Sequence, residues 1–251
     1  MPLLTVAPGI DIAYEVVGQG APIVLVHGFA SSRGQNWKSP GWVAPLTEAG
    51  RQVIMFDVRG HGESSKPHDA RAYDEAELAG DVIRVMDHLG HATADVMGYS
   101  MGGFITMRVL HDFQLRVRKA VVAGVGENYY GRGRLETDAI AAGLRAPSAT
   151  DIQGTVPRQF RMFAEQGKND LEALALCMTR PRHSFSAEEM THVSTPTLIV
   201  IGENDTTTGP VGALANVIAG VRVVTVPKRD HMTTVGDKIF KEAAVAFLCD
   251  D

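Results

Sequence analysis

The stretch 96–104, VMGYSMGGF, sets one serine among three glycines at the end of an apolar run. Glycine inside a helix costs about 1 kcal/mol relative to alanine, so glycines crowded where a helix begins need a compensating reason. The serine supplies one. A hydroxyl is a poor nucleophile at neutral pH and needs a neighbouring base, together with donors for the oxyanion it creates. A sharp turn from a buried strand into a helix lifts the hydroxyl above the sheet and aims the backbone N–H groups of the helix N-terminus at the developing charge. Strand and helix then pass so closely that the positions two before and two after the serine must be small. Here they are Gly98 and Gly102, with Gly103 adding clearance. Gly98-Tyr99-Ser100-Met101-Gly102 is therefore a G-x-S-x-G turn with Ser100 as its nucleophile.

Working outward, strand and helix patterns alternate. Apolar or alternating runs at 11–18, 22–28, 51–58, 94–99, 118–126, 195–202 and 221–227 read as strands. Segment 42–50 reads as a short helix closed by Gly50, and 74–89 as a helix stopped by Gly90. Another helix opens at Met101, and a last one spans about 236–248. Buried strands alternating with helices imply a mostly parallel sheet covered on both faces. Only 127–192 breaks the rhythm. It holds helix-like pieces (ETDAIAAGL, RQFRMFAEQ, DLEALALCM) and no strand pattern, which predicts a helical insertion over one end of the sheet. No internal repeat or low-complexity tract appears.

With these motifs in place, the chain resembles the α/β-hydrolase superfamily, in its serine-nucleophile branch of esterases, lactonases and haloperoxidase-like proteins. The likeness covers nearly all of the sequence outside the insertion. It implies a mostly parallel eight-stranded α/β-hydrolase sheet with helices on both faces and a small helical cap insertion. The core would be 1–126 and 193–251, and the cap 127–192. VLVHGF (24–29) resembles the strand end whose last residue, here Phe29, lends a backbone N–H to the oxyanion hole, and the N–H of Met101 would be the second donor. FDVRGHGESSKP (56–67) resembles a glycine-rich loop of structural character. TLIVIGENDTTTGP and VPKRDHMTTVGD resemble the segments bearing the acid and the histidine, Asp205 and His231. The order Ser100, Asp205, His231 is the one expected of this fold. Glu127, at the exit of the preceding strand, is the second candidate for the acid, while Glu203 and Asp230 read as solvated loop carboxylates. Among nine histidines only His231 follows the last core strand and precedes the last helix. His27 and His61 read as loop-structuring residues; His88, His91 and His111 sit at helix ends, and His68, His183 and His192 on the surface.

The resemblance implies a cofactor-free serine hydrolase that cleaves a small carboxylic ester, thioester or lactone through an acyl-enzyme on Ser100. Carbon–carbon bond hydrolysis and perhydrolysis use the same three residues, and some proteins of this fold serve as small-molecule receptors. Haloalkane dehalogenases and epoxide hydrolases need an aspartate where this chain has Ser100, which removes both activities.

Composition narrows the partners. The chain has 251 residues, 45% hydrophobic and 21% charged, as globular domains do. Its net charge of −5, from 24 basic and 29 acidic residues, disfavours a nucleic-acid partner. The nearest thing to a basic run is the short GRGRL at 131–135. The N-terminal stretch lacks a signal peptide's charged start and continuous apolar run, and no stretch reaches the ~20 apolar residues of a membrane span. Two cysteines, Cys177 and Cys249, make neither a disulfide framework nor a metal knuckle, so a reduced cytoplasmic setting is expected. No H-E-x-x-H or paired Cys-x-x-Cys occurs, and the glycines at 98–103 are not G-x-G-x-x-G; neither a metal nor a nucleotide is expected. The insertion carries Tyr129, Tyr130, Phe160, Met162, Phe163, Leu174 and Met178. With Met232 nearby, they predict a compact apolar pocket favouring neutral esters of about two to six acyl carbons. Arg158 and Arg161 read as solvated helix arginines; facing inward instead, they would hold a substrate carboxylate. The sequence carries no signal for an oligomeric state.

Overall fold

The apolar runs are apolar throughout because their side chains alternate between two covered faces. In a computed structural model describing residues 2–130 and 134–250, eight strands run β1 (Leu3–Ala7), β2 (Ile10–Val17), β3 (Ala21–Val26), β4 (Arg51–Phe56), β5 (Ala94–Tyr99), β6 (Val117–Ala123), β7 (Thr197–Gly202) and β8 (Arg222–Val226). The glycine–arginine stretch 131–133 lies outside the described residues. The strands form one sheet in the order β1-β2-β4-β3-β5-β6-β7-β8. β1 with β2 and β2 with β4 are antiparallel, and every later pair is parallel.

The α-helices are α1 (Val43–Glu48), α2 (Glu75–His88), α3 (Met101–Phe113), α4 (Arg134–Arg145), α5 (Thr155–Gln166), α6 (Leu171–Thr179), α7 (Gly212–Ala215), α8 (His231–Thr234) and α9 (Lys238–Cys249). Val24 and Val26 pack with Leu78 and Val82 of α2 and Ile105 and Val109 of α3. Their chain neighbours Ile23 and Leu25 pack with Leu46 of α1 and Phe240 and Phe247 of α9. A strand buried on both sides has no polar position to spare. Each fully buried side chain of this size contributes about 1.5–3 kcal/mol, which places most of the stabilisation in these two layers.

Seven of the strands coincide with the apolar runs of the sequence; the eighth, β1, does not. It is an edge strand with no buried residue, joined to β2 through Pro8 and Gly9, the latter at φ +74°. Between β6 and β7 the described residues hold no strand; they form the insertion of α4, α5 and α6, followed by an irregular connection over 180–196 that leads into β7. Ile140, Ala141 and Leu144 of α4, Ala164 of α5 and Leu174 and Ala175 of α6 form a separate cluster that includes Ala30 of the sheet's upper loops. The insertion is thereby fixed above the carboxyl ends of the strands, where ligands of open parallel sheets bind.

Candidate active site

Ser100 sits between β5 and α3 at φ +53°, ψ −115°, a conformation that L residues rarely adopt. Such strain costs on the order of 1–3 kcal/mol and persists only where the surroundings impose it. They do so here. Its N–H donates to the Ala123 carbonyl at 2.8 Å, and its carbonyl accepts from the Phe104 N–H at 3.1 Å. A Cβ at position 98 would lie 2.0 Å from the Gly102 carbonyl oxygen, and one at 102 would lie 1.9 Å from that of Val26. Both clashes are with backbone, which explains the glycines on either side of the serine.

Two loops bring partners to the hydroxyl. His231 opens α8, whose N-cap Asp230 accepts the N–H groups of Met232 and Thr233. Its Nε2 stands 3.0 Å from Ser100 Oγ and its Nδ1 2.7 Å from Asp205 Oδ2. Asp205 is buried, and its other oxygen accepts the N–H groups of Thr207 and Thr208, each at 3.0 Å. Three side chains from three strand exits thus form one hydrogen-bonded line. Tyr99 supports it by donating its hydroxyl to the His231 carbonyl at 2.6 Å. Burial raises the Tyr99 phenol well above its ordinary pKa, and the Asp205 charge adds to this, so it remains a donor. Glu127 lies elsewhere, exposed and against Gly209. Glu203 accepts the Lys228 N–H at 2.8 Å, away from the imidazole.

Phe29 follows Gly28, where a Cβ would lie 3.4 Å from Ser100 Cβ, so this segment passes beside the hydroxyl. The Gly28 N–H donates to Asn36 Oδ1 at 3.0 Å. Met101 is the first residue of α3, so its N–H has no acceptor within the helix. The Phe29 ring rests on His61 and Phe160, with centroids 5.7 and 5.8 Å away.

His61 belongs to the glycine-rich loop after β4. That loop is tied down by Arg59, whose Nε and Nη2 reach both oxygens of Asp81 at 2.7 Å, and by Asp57, which accepts the backbone N–H of Arg33 at 2.7 Å and of Glu63 at 2.8 Å. His27 accepts the Val58 N–H on Nε2 and contacts the Gly28 carbonyl through Nδ1, a pattern that only the neutral Nδ1–H ring satisfies. Burial pushes the His27 pKa down, against the opposing Asp57 charge, and drives His61 further down, with His27 the next cause.

A pH dependence of stability follows. Unfolded histidines titrate near 6.5, so below about that pH the unfolded chain binds more protons than the folded one. Their share of stability is complete above about pH 6.5 and is lost as the pH falls through the depressed folded values, by about 1.4 kcal/mol per pH unit for each extra proton bound. Urea unfolding from about pH 7.5 down to about pH 5 measures the slope. His61→Asn keeps a donor for the Arg59 carbonyl but cannot titrate, and it should make the slope shallower. An unchanged slope would contradict this account.

A cavity of about 720 Å³ opens over Ser100 and His231. Of the residues expected to line it, Phe160, Met162, Phe163, Met178 and Met232 do so. Tyr129 and Tyr130 do not. Tyr129 is buried behind Phe104 and accepts the Phe185 N–H at 2.9 Å, whereas Tyr130 donates to the Ala213 carbonyl at 3.2 Å. Leu174 is inside the insertion's own cluster. Of the two arginines, Arg158 is exposed, as the solvated reading expects, whereas Arg161 is not. Arg161 is buried against the carbonyls of Gly143, Leu144 and Ala146, where it closes the end of α4, and Arg158 donates to the Ile152 carbonyl. Neither borders the cavity, but Arg180 and Arg182 do. Periodicity had not singled them out, because they follow α6 in an aperiodic connection. Asn36 and Phe104 also border it without having been anticipated. Phe104 was legible as the fourth residue of the helix that Ser100 begins, one turn from the hydroxyl.

Among the described residues no group of three or more metal-binding side chains is assembled, and no helix is long and apolar enough to cross a membrane. Residues 21–138 match the family described as alpha/beta hydrolase fold. Over 132 residues, 52% of the chain, the sequence is 36% identical to epoxide hydrolase B of Mycobacterium tuberculosis, covering 35% of that protein. Over 125 residues, 49% of the chain, it is 35% identical to a non-heme haloperoxidase of Rhodococcus erythropolis, covering 44% of it. The matched part thus spans less than half the length of these relatives. The crystal structure of a bromoperoxidase from Bacillus anthracis superposes with a TM-score of 0.72 at 26% identity, covering 96% of each chain.

Proposed function

The chain belongs to the alpha/beta-hydrolase superfamily, and from that premise we propose that it is a cofactor-free serine hydrolase of small carboxylic esters, thioesters or lactones. One observation carries the reading: the hydrogen-bonded line Asp205–His231–Ser100 at the floor of an apolar cavity. His231 takes the Ser100 proton on Nε2 as Oγ attacks the substrate carbonyl. Asp205 holds the imidazole with its proton on Nδ1 and stabilises the cation that forms. The oxyanion is received by the N–H groups of Phe29 and Met101; removal of one such donor typically costs about 10²–10³ in rate. Collapse of the tetrahedral adduct releases the alcohol, which takes its proton from His231. Water, deprotonated by the same imidazole, then cleaves the acyl-enzyme.

Residues 127–192 act as the cap of this site, since Phe160, Phe163 and Met178 border the same cavity as Ser100. The relatives' names span halide and epoxide chemistry, so fold alone does not choose a substrate. Against epoxide hydrolysis stands the hydroxyl, rather than a carboxylate, at position 100. The free thiols Cys177 and Cys249 suit a reduced, cytoplasmic setting.

Sustained turnover tests the proposal and separates it from a receptor role. Purified protein without added cofactor should release p-nitrophenol from the butyrate ester over hundreds of equivalents, at about 1 s⁻¹ or faster. Release that stops near one equivalent would favour a receptor that retains its acyl group.

A further inference from the structure

Arg180 follows the last residue of α6 and is only 9% exposed, yet it borders the cavity over Ser100. Its Nη1 donates to the Cys177 carbonyl and lies 3.3 Å from Cys177 Sγ. Nε is buried without an acceptor, and no hydrogen bond to the described residues engages Nη2. Among the described residues no carboxylate forms an ion pair with it. Nε and Nη2, the pair that meets the two oxygens of a carboxylate side by side, are therefore the nitrogens left without a partner, and Nη2 is the one not closed off from solvent.

Near Arg180 stand another cation and two groups that burial keeps neutral. Arg182 borders the same cavity, with its guanidinium 4.9 Å above the Phe104 ring. His61, the other titratable ring nearby, is held neutral by burial, and the Arg180 charge is among the causes that lower its pKa. Burial keeps the Cys177 thiol protonated as well, so it supplies no negative charge. A cation at a helix C-terminus gains from the helix dipole, and that explains Nη1 on the Cys177 carbonyl. It leaves the opposite edge unexplained. A buried guanidinium beside a largely apolar cavity, with no carboxylate paired to it among the described residues, is costly unless something else brings one.

We propose that the substrate brings it: resting on the serine-hydrolase reading above, the ester cleaved at Ser100 carries a carboxylate that pairs with Arg180. This departs from the neutral esters that the apolar composition of the insertion suggests. Apolar walls and an anion are compatible, because a low-dielectric wall strengthens the pairing of the two charges. A neutral ester of the same shape leaves the guanidinium unpaired, and sites that leave a buried polar group unpaired discriminate strongly.

Two matched pairs test this. On the acyl side, p-nitrophenyl hydrogen glutarate is compared with p-nitrophenyl valerate; on the alcohol side, 4-(butyryloxy)benzoate with its methyl ester. In at least one pair the acid should be preferred at least tenfold in kcat/KM, mainly through KM. Arg180→Gln should reduce that acid-to-neutral ratio at least tenfold, and Arg180→Lys should restore part of it. A second arm needs no turnover. Ser100→Ala titrated calorimetrically with monomethyl glutarate should bind it, and Ser100→Ala with Arg180→Gln should not. Neutral preference in both pairs, or a Gln variant that lowers both members equally, would overturn the proposal and leave Arg180 as a helix-end residue. Binding that depends on Arg180 in a protein that hydrolyses none of the four esters would support the anion site and remove the serine-hydrolase reading. Absence of both binding and turnover would overturn the proposal.

Discussion

Replacing Ser100 with alanine should lower kcat for p-nitrophenyl butyrate by about 10⁵–10⁶ while leaving the protein folded. The loss is large because the reaction would have no nucleophile, and a water in its place lacks the positioning that the strained turn gives Oγ. The fold should survive because the bonds that hold position 100 are made by its backbone, to Ala123 and from Phe104. Alanine meets the same strain at φ +53° as serine does, so no new backbone cost arises. The melting temperature should stay within about 3 °C of the wild type, since the change removes one partly buried hydrogen bond, worth about 1 kcal/mol. Residual activity within tenfold of the wild type would mean that another group attacks the substrate.

Asp205→Asn should lower kcat by about 10⁴, the loss expected when the imidazole is held in the wrong tautomer. The geometry says why. One Asp205 oxygen is committed to the N–H groups of Thr207 and Thr208, so the amide oxygen of an asparagine must occupy that position. Its NH₂ would then face His231 Nδ1, at the 2.7 Å now spanned by the other oxygen. A donor there forces the ring proton onto Nε2, which can no longer accept the proton of Ser100. Glu127→Gln, by contrast, should change kcat less than about threefold, because the Glu127 carboxylate is exposed and makes no contact with His231. Parallel kinetics of the two variants decide the matter. The reverse ranking would place the acid after β6 rather than after β7.

The parts of the molecule that were legible in the sequence are those fixed by local sterics. Gly98 and Gly102 announce a close crossing of backbones whatever the rest of the chain does, and the structure puts the forbidden Cβ positions about 2 Å from carbonyl oxygens. Buried parallel strands are legible for a similar reason, since two covered faces leave no position for a polar residue. β1 escaped because an edge strand of five residues, none of them buried, has no such constraint. The pocket was the hardest part. Tyr129 and Phe160 are both aromatic residues of the insertion, and only tertiary packing turns one behind Phe104 and the other toward Ser100. Arg161 and Arg180 make the same point for charge. The first is absorbed by the carbonyls at the end of α4, and the second keeps a buried Nε without an acceptor beside the cavity. Helical periodicity says that a helix has a buried face but not which neighbour that face will meet.

That Ser100 is the nucleophile is most directly tested by covalent capture. The protein would be treated with a fluorophosphonate, digested, and the adduct located by mass spectrometry. The account predicts a single phosphonylated residue, Ser100, with labelling lost in Ser100→Ala and strongly slowed in Asp205→Asn. An adduct on any other residue, or one that persists at full yield in Ser100→Ala, would contradict it.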